Sequence, residues 1–383
     1  MVDAYSPMMA EFEERKVLYA DRYCPFYIIS VGSHLFNILN KQKHLYLQHG
    51  LPVDTRCHIF LVCPSGFGKS FHIRQFLENG VGVLDRSPIQ HAMEGSMTES
   101  AWVGSVIYVD GEPVIVEGAA KEYEYGIVGV EEFSVLTQMM QSASSRTLHS
   151  QLLTSLDSGI VRKRLRGSMK IHYTTCVTLW TGDRPATFDM ASGMPRRLVF
   201  LNFFPTKRDV EMMRRAIRSG EGIKYNPARL VEIGRVLEEK IEELKQLTGL
   251  VYDTSMYAFL DRIKQRTMPY EEIIYKRLAI GYNVLKKNLK GILRVEVDKT
   301  LDKLLMREYY WRQQIKRGAD VSHVFVILSD YGNKMTRRDL VNRLSDFGLN
   351  TFEAAALIDR MLKERMLVYK NGYLSSYYVR SEE

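Results

Sequence analysis

The stretch HIFLVCPSGFGKSFH, residues 58–72, decides how the first half of this chain is interpreted. A short apolar run is followed by two glycines, Lys69 and Ser70, and then by a segment with helical spacing. Strand, glycine-rich loop and helix in this order are typical of a phosphate-binding loop (P-loop). The pattern G-x-x-x-x-G-K-[ST] has Cys63 in place of its first glycine. Because Cys63 ends the strand and lies outside the amides that hold phosphate, we expect an intact loop.

The loop is expected to bind ATP with Mg²⁺. Lys69 would reach the β- and γ-phosphates, and the Ser70 hydroxyl would bind Mg²⁺. Pro64 has no N–H group to donate, but the amides from Ser65 to Ser70 suffice. The expected nucleotide-binding residues of the loop are Pro64, Ser65, Gly66, Phe67, Gly68, Lys69 and Ser70.

A second half of the site is predicted where GIVGVEEF, residues 126–133, ends in two carboxylates. Glu131 would belong to the Mg²⁺ shell, and Glu132 would orient and activate the attacking water. Two glutamates also suit the beginning of a helix, where the helix dipole favours negative charge. Their position after a buried strand, about 60 residues past the loop, favours the catalytic interpretation.

Strands alternating with helices predict a parallel α/β sheet up to residue 206. Further buried strands are expected at 174–180 and 196–204. Two β-hairpins are predicted, one over 105–118 with its turn at Asp110-Gly111 and one over 159–173 with its turn at Gly167-Ser168.

The second hairpin is strongly basic, and its strand alternation places Arg162, Arg164 and Arg166 on one face. Such a row can follow a nucleic-acid backbone without reading sequence. A solvated surface strand is the alternative interpretation. The expected DNA-binding residues are Arg162, Lys163, Arg164, Arg166 and Lys170.

The rest of the chain changes character twice. Residues 1–206 are expected to form the α/β core with a helical lead-in, and residues 207–318 a helical lid or linker. Residues 319–383 predict three helices and a hairpin turning at Asn371-Gly372, which is the pattern of a winged helix, with Thr351 expected as N-cap of the third helix. Winged helices bind DNA or dock proteins, and both remain open.

Composition and charge limit the partners and the cellular location that we expect. The formal charge is +8, from 53 basic and 45 acidic residues, which weakly favours an anionic partner. No apolar run approaches the ~18 residues of a membrane span, and no basic leader precedes an apolar stretch. The four cysteines are scattered, which indicates a reducing compartment. We therefore expect an intracellular protein of the cytoplasm or nucleoid that has no membrane partner.

The order of these motifs over residues 20–205 resembles the AAA+ motor of the minichromosome maintenance (MCM) replicative helicases. The resemblance implies a P-loop AAA+ sheet with a helix-2-insert hairpin before the acidic strand and a pre-sensor-1 hairpin after it. A helical lid and a C-terminal winged helix match in order and size. The N-terminal OB and zinc-binding region of the family is not expected in this chain.

The resemblance also assigns roles to single residues. Lys69 and Ser70 match Walker A, and Glu131 and Glu132 match Walker B. At sensor 1 the family asparagine is missing, so Thr181 or Asp183 would serve. Three arginines complete the comparison: Arg197 in GMPRRL matches the arginine finger with Arg196 as second choice, and Arg277 is similar to the sensor-2 arginine.

The resemblance implies an ATP-driven DNA helicase or translocase in replication, acting as a homohexameric ring with the basic hairpin on DNA in the channel. Replication proteins are expected as further partners through the winged helix. A replication initiator or helicase loader that uses ATP as a switch is the alternative. A MoxR-type protein-remodelling ATPase is a third reading, against which the basic hairpin and the winged helix speak.

Overall fold

The computed structural model describes residues 2–131, 146–164, 170–184, 193–219, 224–347 and 349–377. Two expected site residues, Glu132 and Arg166, lie outside the described residues, as does the predicted turn at Gly167-Ser168. The described helices include none that is long and apolar enough to span a membrane. The four cysteines are buried and free.

A sheet of five parallel strands forms the centre of the molecule. Most of its residues are buried on both faces, which is why its sequences are apolar without alternation. The order across the sheet is β5-β1-β4-β3-β2, with β1 continuing into the glycine-rich loop. The strands are β1 (His58–Val62), β2 (His91–Glu94), β3 (Ile127–Val130), β4 (Thr178–Asp183) and β5 (Leu198–Asn202).

The predicted α/β class is confirmed, with one strand more than expected. The short β2 was not predicted, because HAME carries neither β-branched residues nor an apolar run. The strand expected at 174–180 begins later and extends to Asp183, which brings both sensor-1 candidates into it.

Helices surround the sheet and fill the second half of the chain. Their bounds are Tyr5–Glu14, Ala20–Lys43, Lys69–Leu77, Glu99–Val103, Ala119–Glu122, Arg146–Asp157, Lys207–Ser219, Pro227–Leu244, Thr254–Ile263, Pro269–Lys286, Lys299–Lys316, Ala319–Asp330, Arg337–Asp346 and Thr351–Lys363, with a 3₁₀ turn at Lys264–Arg266.

The N-terminal helices and residues 207–318 share one hydrophobic core, which extends in sequence from Ala4 to Trp311. Helices Ala20–Lys43 and Pro269–Lys286 cross at glycines. A Cβ atom on Gly281 would lie 2.2 Å from the Ile29 carbonyl oxygen, so only glycine permits this approach. The helical segment is therefore packed directly on the lead-in and on the sheet.

Two small sheets in the first 318 residues were not predicted. Strands Leu247–Tyr252 and Gly291–Val295 pair in parallel inside the segment expected to be helical. Strands Leu47–Gln48 and Leu51–Pro52 pair antiparallel before β1. All four are short, and neither pair alternates clearly enough to stand out between helices.

Both predicted hairpins are present. Strands Gly104–Val109 and Glu112–Glu117 meet at Asp110 and Gly111, whose φ values are 53° and 85° as a type I′ turn requires. Strands Ile160–Arg164 and Lys170–Thr174 form the basic hairpin. Tyr173 donates a hydrogen bond to the carbonyl of Val103 at 3.0 Å, so the basic hairpin is bonded to the end of the helix that leads directly into the first hairpin.

The C-terminal unit, residues 319–377, has the predicted three helices followed by a hairpin of Leu367–Lys370 and Tyr373–Ser376. It has a core of its own, from Val321 to Leu374. The N-cap of its third helix is Asn350, which forms a capping box with Glu353, so the expectation of Thr351 was wrong by one residue.

Candidate functional site

The loop after β1 has the backbone geometry that the sequence predicted for a P-loop. Gly66 and Gly68 have φ values of +81° and +82°, a region that strains any residue with a side chain. Helix Lys69–Leu77 begins directly after Gly68, so its unpaired N–H groups and its dipole point into the loop. The glycine spacing, not the residue at position 63, sets this shape.

Cys63 directly follows β1 and packs beneath the loop. Its backbone N–H donates to the Asp183 carbonyl at 3.0 Å, and its Sγ lies 3.7 Å from the Phe67 carbonyl oxygen. Burial raises the pKa of the thiol to about 12. Cysteine in place of glycine therefore leaves the loop geometry intact.

The Lys69 ammonium group lies inside the loop. Its Nζ donates to the carbonyl oxygens of Cys63 and Pro64, at 3.0 and 3.2 Å. These bonds hold the cation inside the loop, beside the backbone that would bind an anion.

A cleft of about 510 Å³ joins the loop to the strands beside it. The carboxyl ends of parallel strands meet at one edge of a sheet, so β3 and β4 bring Glu131 and Asp183 to the edge where β1 enters the loop. The cleft is lined by Ser65, Gly66, Gly68, Lys69, Ser70, Phe71, Glu131, Gly182, Asp183 and Arg184.

Glu131 forms an ion pair with the helix that follows the loop. Arg74 Nε donates to Glu131 Oε1 at 2.6 Å, and this bond raises the pKa of the guanidinium. The Arg74 side chain is 52 % exposed, so water screens the pair and a stronger cation can compete for the carboxylate. The carboxylate of Glu131 is thus positioned at the cleft before any ligand binds.

The two sensor-1 candidates have different surroundings. Thr181 is buried, and its hydroxyl donates to the Val130 carbonyl at 2.8 Å, which fixes β4 to β3. Asp183 lines the cleft and accepts a 2.7 Å bond from the Arg184 amide. Of the two, Asp183 is the residue that faces the phosphate loop.

The arginine-finger candidates lie just before β5, at the amino ends of the strands and therefore at the opposite end of the sheet from the cleft. Arg197 is 4 % exposed, and its guanidinium donates to the Leu153 carbonyl at 2.9 Å and to Asp157 at 2.8 Å. Arg196 has a side chain that is 52 % exposed, with Asp157 at 3.6 Å. Arg196 is accordingly the one that a neighbouring molecule can reach.

Arg277 also lies near the amino ends of the strands. Its charge acts on Asp54 and on His58, at the amino end of β1. The residue is 7 % exposed, and its Nε has no hydrogen-bond partner among the described residues. It is not part of the cleft of its own chain, and a role at a nucleotide stays a prediction.

The basic hairpin divides its cations between two faces. Val161 and Ile171 are buried on one face, and Lys163 lies on that same face and forms an ion pair with Glu99 at 3.1 Å. The other face is exposed and has three basic residues in register, with Arg162 in one row and Arg164 opposite Lys170 in the next. Lys163 is thus separated from the row that sequence alternation assigned to DNA.

An apolar cavity of about 650 Å³ adjoins the phosphate loop and was not predicted. Gly66, Gly68 and Phe71 line both spaces. The far wall is helix Lys207–Ser219, and the near wall is the connection between the first two helices. No motif in the sequence marks either wall. The apolar wall residues include Val17, Leu18, Tyr19, Phe67, Met213, Ala216 and Ile217.

The described residues contain no group of three or more His, Cys, Asp or Glu side chains that could hold a metal ion. Ser70 and Glu131 offer oxygen ligands of the kind Mg²⁺ prefers, and Mg²⁺ at phosphate sites is commonly held by one or two carboxylates together with the phosphates. No protein-family model matches the chain, and no curated protein matches it.

Proposed function

We propose that this chain is an ATP-hydrolysing AAA+ motor of the MCM type that moves on DNA. The observation that supports it best is the strand order β5-β1-β4-β3-β2 with the phosphate loop after β1 and Glu131 and Asp183 at the same edge. That arrangement gathers an anion cradle, a cation and two carboxylates into one cleft, which is what phosphoryl transfer requires.

The nucleotide fits the two adjoining spaces. The amides of residues 65–70 and Lys69 bind the phosphates, and the apolar cavity beside Phe67 accepts the base between Val17 and Met213. Ser70 and Glu131 would hold Mg²⁺, which neutralises charge on the phosphates when bound. Asp183 is placed to orient water or phosphate at sensor 1, and Glu132 keeps its predicted role as the general base.

The position of Arg196, at the end of the strands opposite the cleft, supports a ring of several subunits. β5 pairs with β1 in parallel, so residue 196 and the phosphate loop lie at opposite ends of the same pair of strands. About five strand residues at ~3.3 Å each separate them, which is too far for Arg196 to act on its own nucleotide. In a homohexamer it would reach the next subunit's γ-phosphate, and the exposed face of the basic hairpin would contact the DNA backbone.

A replication initiator or loader is the second candidate. The C-terminal unit of three helices and a hairpin is common to that class, and it contacts the phosphate loop directly through Phe347. A switch of this kind would bind DNA and ATP without sustained turnover. The two hairpin insertions favour the motor.

The test is steady-state ATP hydrolysis with and without single-stranded DNA. We expect the wild type to hydrolyse ATP faster when DNA is present, Lys69→Ala to bind no nucleotide, and Glu132→Gln to bind ATP without hydrolysing it. Lys299→Ala removes an exposed lysine elsewhere and is the matched control. Normal turnover in Lys69→Ala or Glu132→Gln would disprove the site.

A further inference from the structure

The C-terminal unit contacts the rest of the molecule through a row of aromatic rings that ends at the phosphate loop. The ring centroids of Phe67 and Phe347 are 5.5 Å apart, and those of Phe347 and His323 are 4.6 Å apart. His323 in turn stacks on Phe204 at 5.2 Å. Although residues 319–377 have their own core, this contact joins them to the phosphate loop and to the segment after β5.

Phe67 is the residue of the loop whose side chain can respond to such a contact. It lies between Gly66 and Gly68, whose positive φ values leave the loop backbone with little side-chain support of its own. Its ring packs between Phe203 at 6.0 Å and Phe347 at 5.5 Å. A displacement of this ring would therefore move the loop backbone on either side of it.

A second contact reaches the other wall of the nucleotide site. The Lys207 amide donates to Asp330 Oδ2 at 3.0 Å, and the Lys207 ammonium lies 3.2 Å from the centre of the Tyr331 ring. Lys207 begins the helix whose residues Met213 and Ile217 line the apolar cavity. The C-terminal unit thus makes two separate contacts with the proposed nucleotide site. One is with the glycine-rich loop, and the other is with the helix that lines the apolar cavity.

We propose that Phe347 is a positioning residue for the nucleotide site, so that docking of residues 319–377 and binding of nucleotide favour each other. The inference rests on the proposed nucleotide site. Since coupling between two binding events is reciprocal, a docked C-terminal unit tightens nucleotide binding, and bound nucleotide stabilises the docked unit. Loss of the Phe347 ring frees Phe67 on one side and weakens the cradle.

The experiment compares MgADP affinity of the full-length wild type, Phe347→Ala and Phe352→Ala by titration calorimetry. Phe352 belongs to the same unit but is 83 % exposed, so its removal matches the chemistry without touching the loop. We expect Phe347→Ala to raise the dissociation constant about fivefold or more, within the usual range of coupling between sites, and Phe352→Ala to leave it unchanged. Phe347→Leu keeps part of the packing and should lie between them.

A readout on the C-terminal side separates positioning from general damage. MgADP should slow amide hydrogen exchange in residues 319–347 of the wild type and of Phe352→Ala, and this protection should be lost in Phe347→Ala. Wild-type affinity in Phe347→Ala, or protection that persists, overturns the coupling while leaving nucleotide binding in place. A wild type that binds no MgADP overturns the proposed function itself.

Discussion

Two adjacent arginines, Arg196 and Arg197, show what residue identity alone does not determine. The resemblance assigned the arginine finger to Arg197. A sequence motif gives the position of a residue in the chain but not the direction in which its side chain points. In the structure Arg197 is enclosed and bonded to Leu153 and Asp157, whereas Arg196 is exposed. In the proposed ring, Arg196 would therefore be the side chain that acts between subunits.

The two arginines should respond differently to alanine substitution. Arg197→Ala leaves partly buried acceptors without a donor and empties the space of a buried side chain, so we expect the free energy of unfolding to fall by about 1–3 kcal/mol in urea titrations. Arg196→Ala should keep wild-type stability but lose ATP hydrolysis. Mixing it with Lys69→Ala should restore part of the activity, because some interfaces then combine an intact loop with an intact Arg196. Mixtures with no recovered activity would contradict a site shared between subunits.

At the scale of elements, the basic hairpin predicts how DNA affinity depends on salt concentration. Arg162 and Arg164 project from its exposed face, and a contact with single-stranded DNA releases about 0.7 counterions per phosphate. Arg162→Ala with Arg164→Ala should weaken binding and lower the slope of log affinity against log salt concentration by about 1.4. The matched control removes Lys299 and Lys303, two exposed lysines on one helix. Equal loss in both double variants would show only a non-specific effect of charge.

The close crossing of helices Ala20–Lys43 and Pro269–Lys286 predicts a loss of stability when a side chain is added at the contact. A Cβ atom at position 281 would meet the Ile29 carbonyl oxygen at 2.2 Å, so Gly281→Ala must push the helices apart. We expect a loss of about 1–3 kcal/mol in the free energy of unfolding. Gly249→Ala is the control, since its new atom would meet its neighbour at an ordinary 3.8 Å. Equal stability of the two variants would mean that the crossing tolerates a wider spacing.

Local patterns predicted the elements that have local causes. The loop is specified by two glycines and a following helix, and the hairpin at Asp110-Gly111 by a turn whose φ values few other pairs adopt. The strand His91–Glu94 was missed because its pairing with β3 comes from tertiary context. The apolar cavity beside the loop was missed for the same reason, as two of its walls are more than 180 residues apart in sequence. Sequence reasoning therefore predicted the glycine-rich loop, which has a local cause, and missed the cavity, which is built by distant packing.

For the whole molecule, buried histidines predict a dependence of stability on pH. Burial lowers the pKa of His34, His72 and His323 to about 4. The unfolded chain takes up these protons near pH 6.5 and the folded chain does not, so stability is complete above pH 6.5 and falls as the pH drops toward 4. Each such histidine contributes up to about 1.4 kcal/mol per pH unit in that range.

His323 offers a direct check, because its ring is stacked on Phe204 and neither of its nitrogens has a hydrogen-bond partner among the described residues. In urea unfolding at pH 7.5 and 5.5, His323→Phe should keep the packing and lose less stability at the lower pH than the wild type. His49→Gln, at an exposed position, should behave like the wild type. An unchanged pH dependence in His323→Phe would mean that His323 takes up its proton as readily in the folded chain as in the unfolded chain.

The central proposal concerns the whole assembly, in which ATP turnover at the cleft moves DNA along the basic hairpins. Strand displacement from a forked DNA duplex, with Lys69→Ala as control, measures that coupling most directly. We predict that the wild type releases the displaced strand only when ATP is hydrolysed and that Lys69→Ala releases none. A wild type that hydrolyses ATP and binds the fork but releases no strand at any protein concentration would contradict the motor.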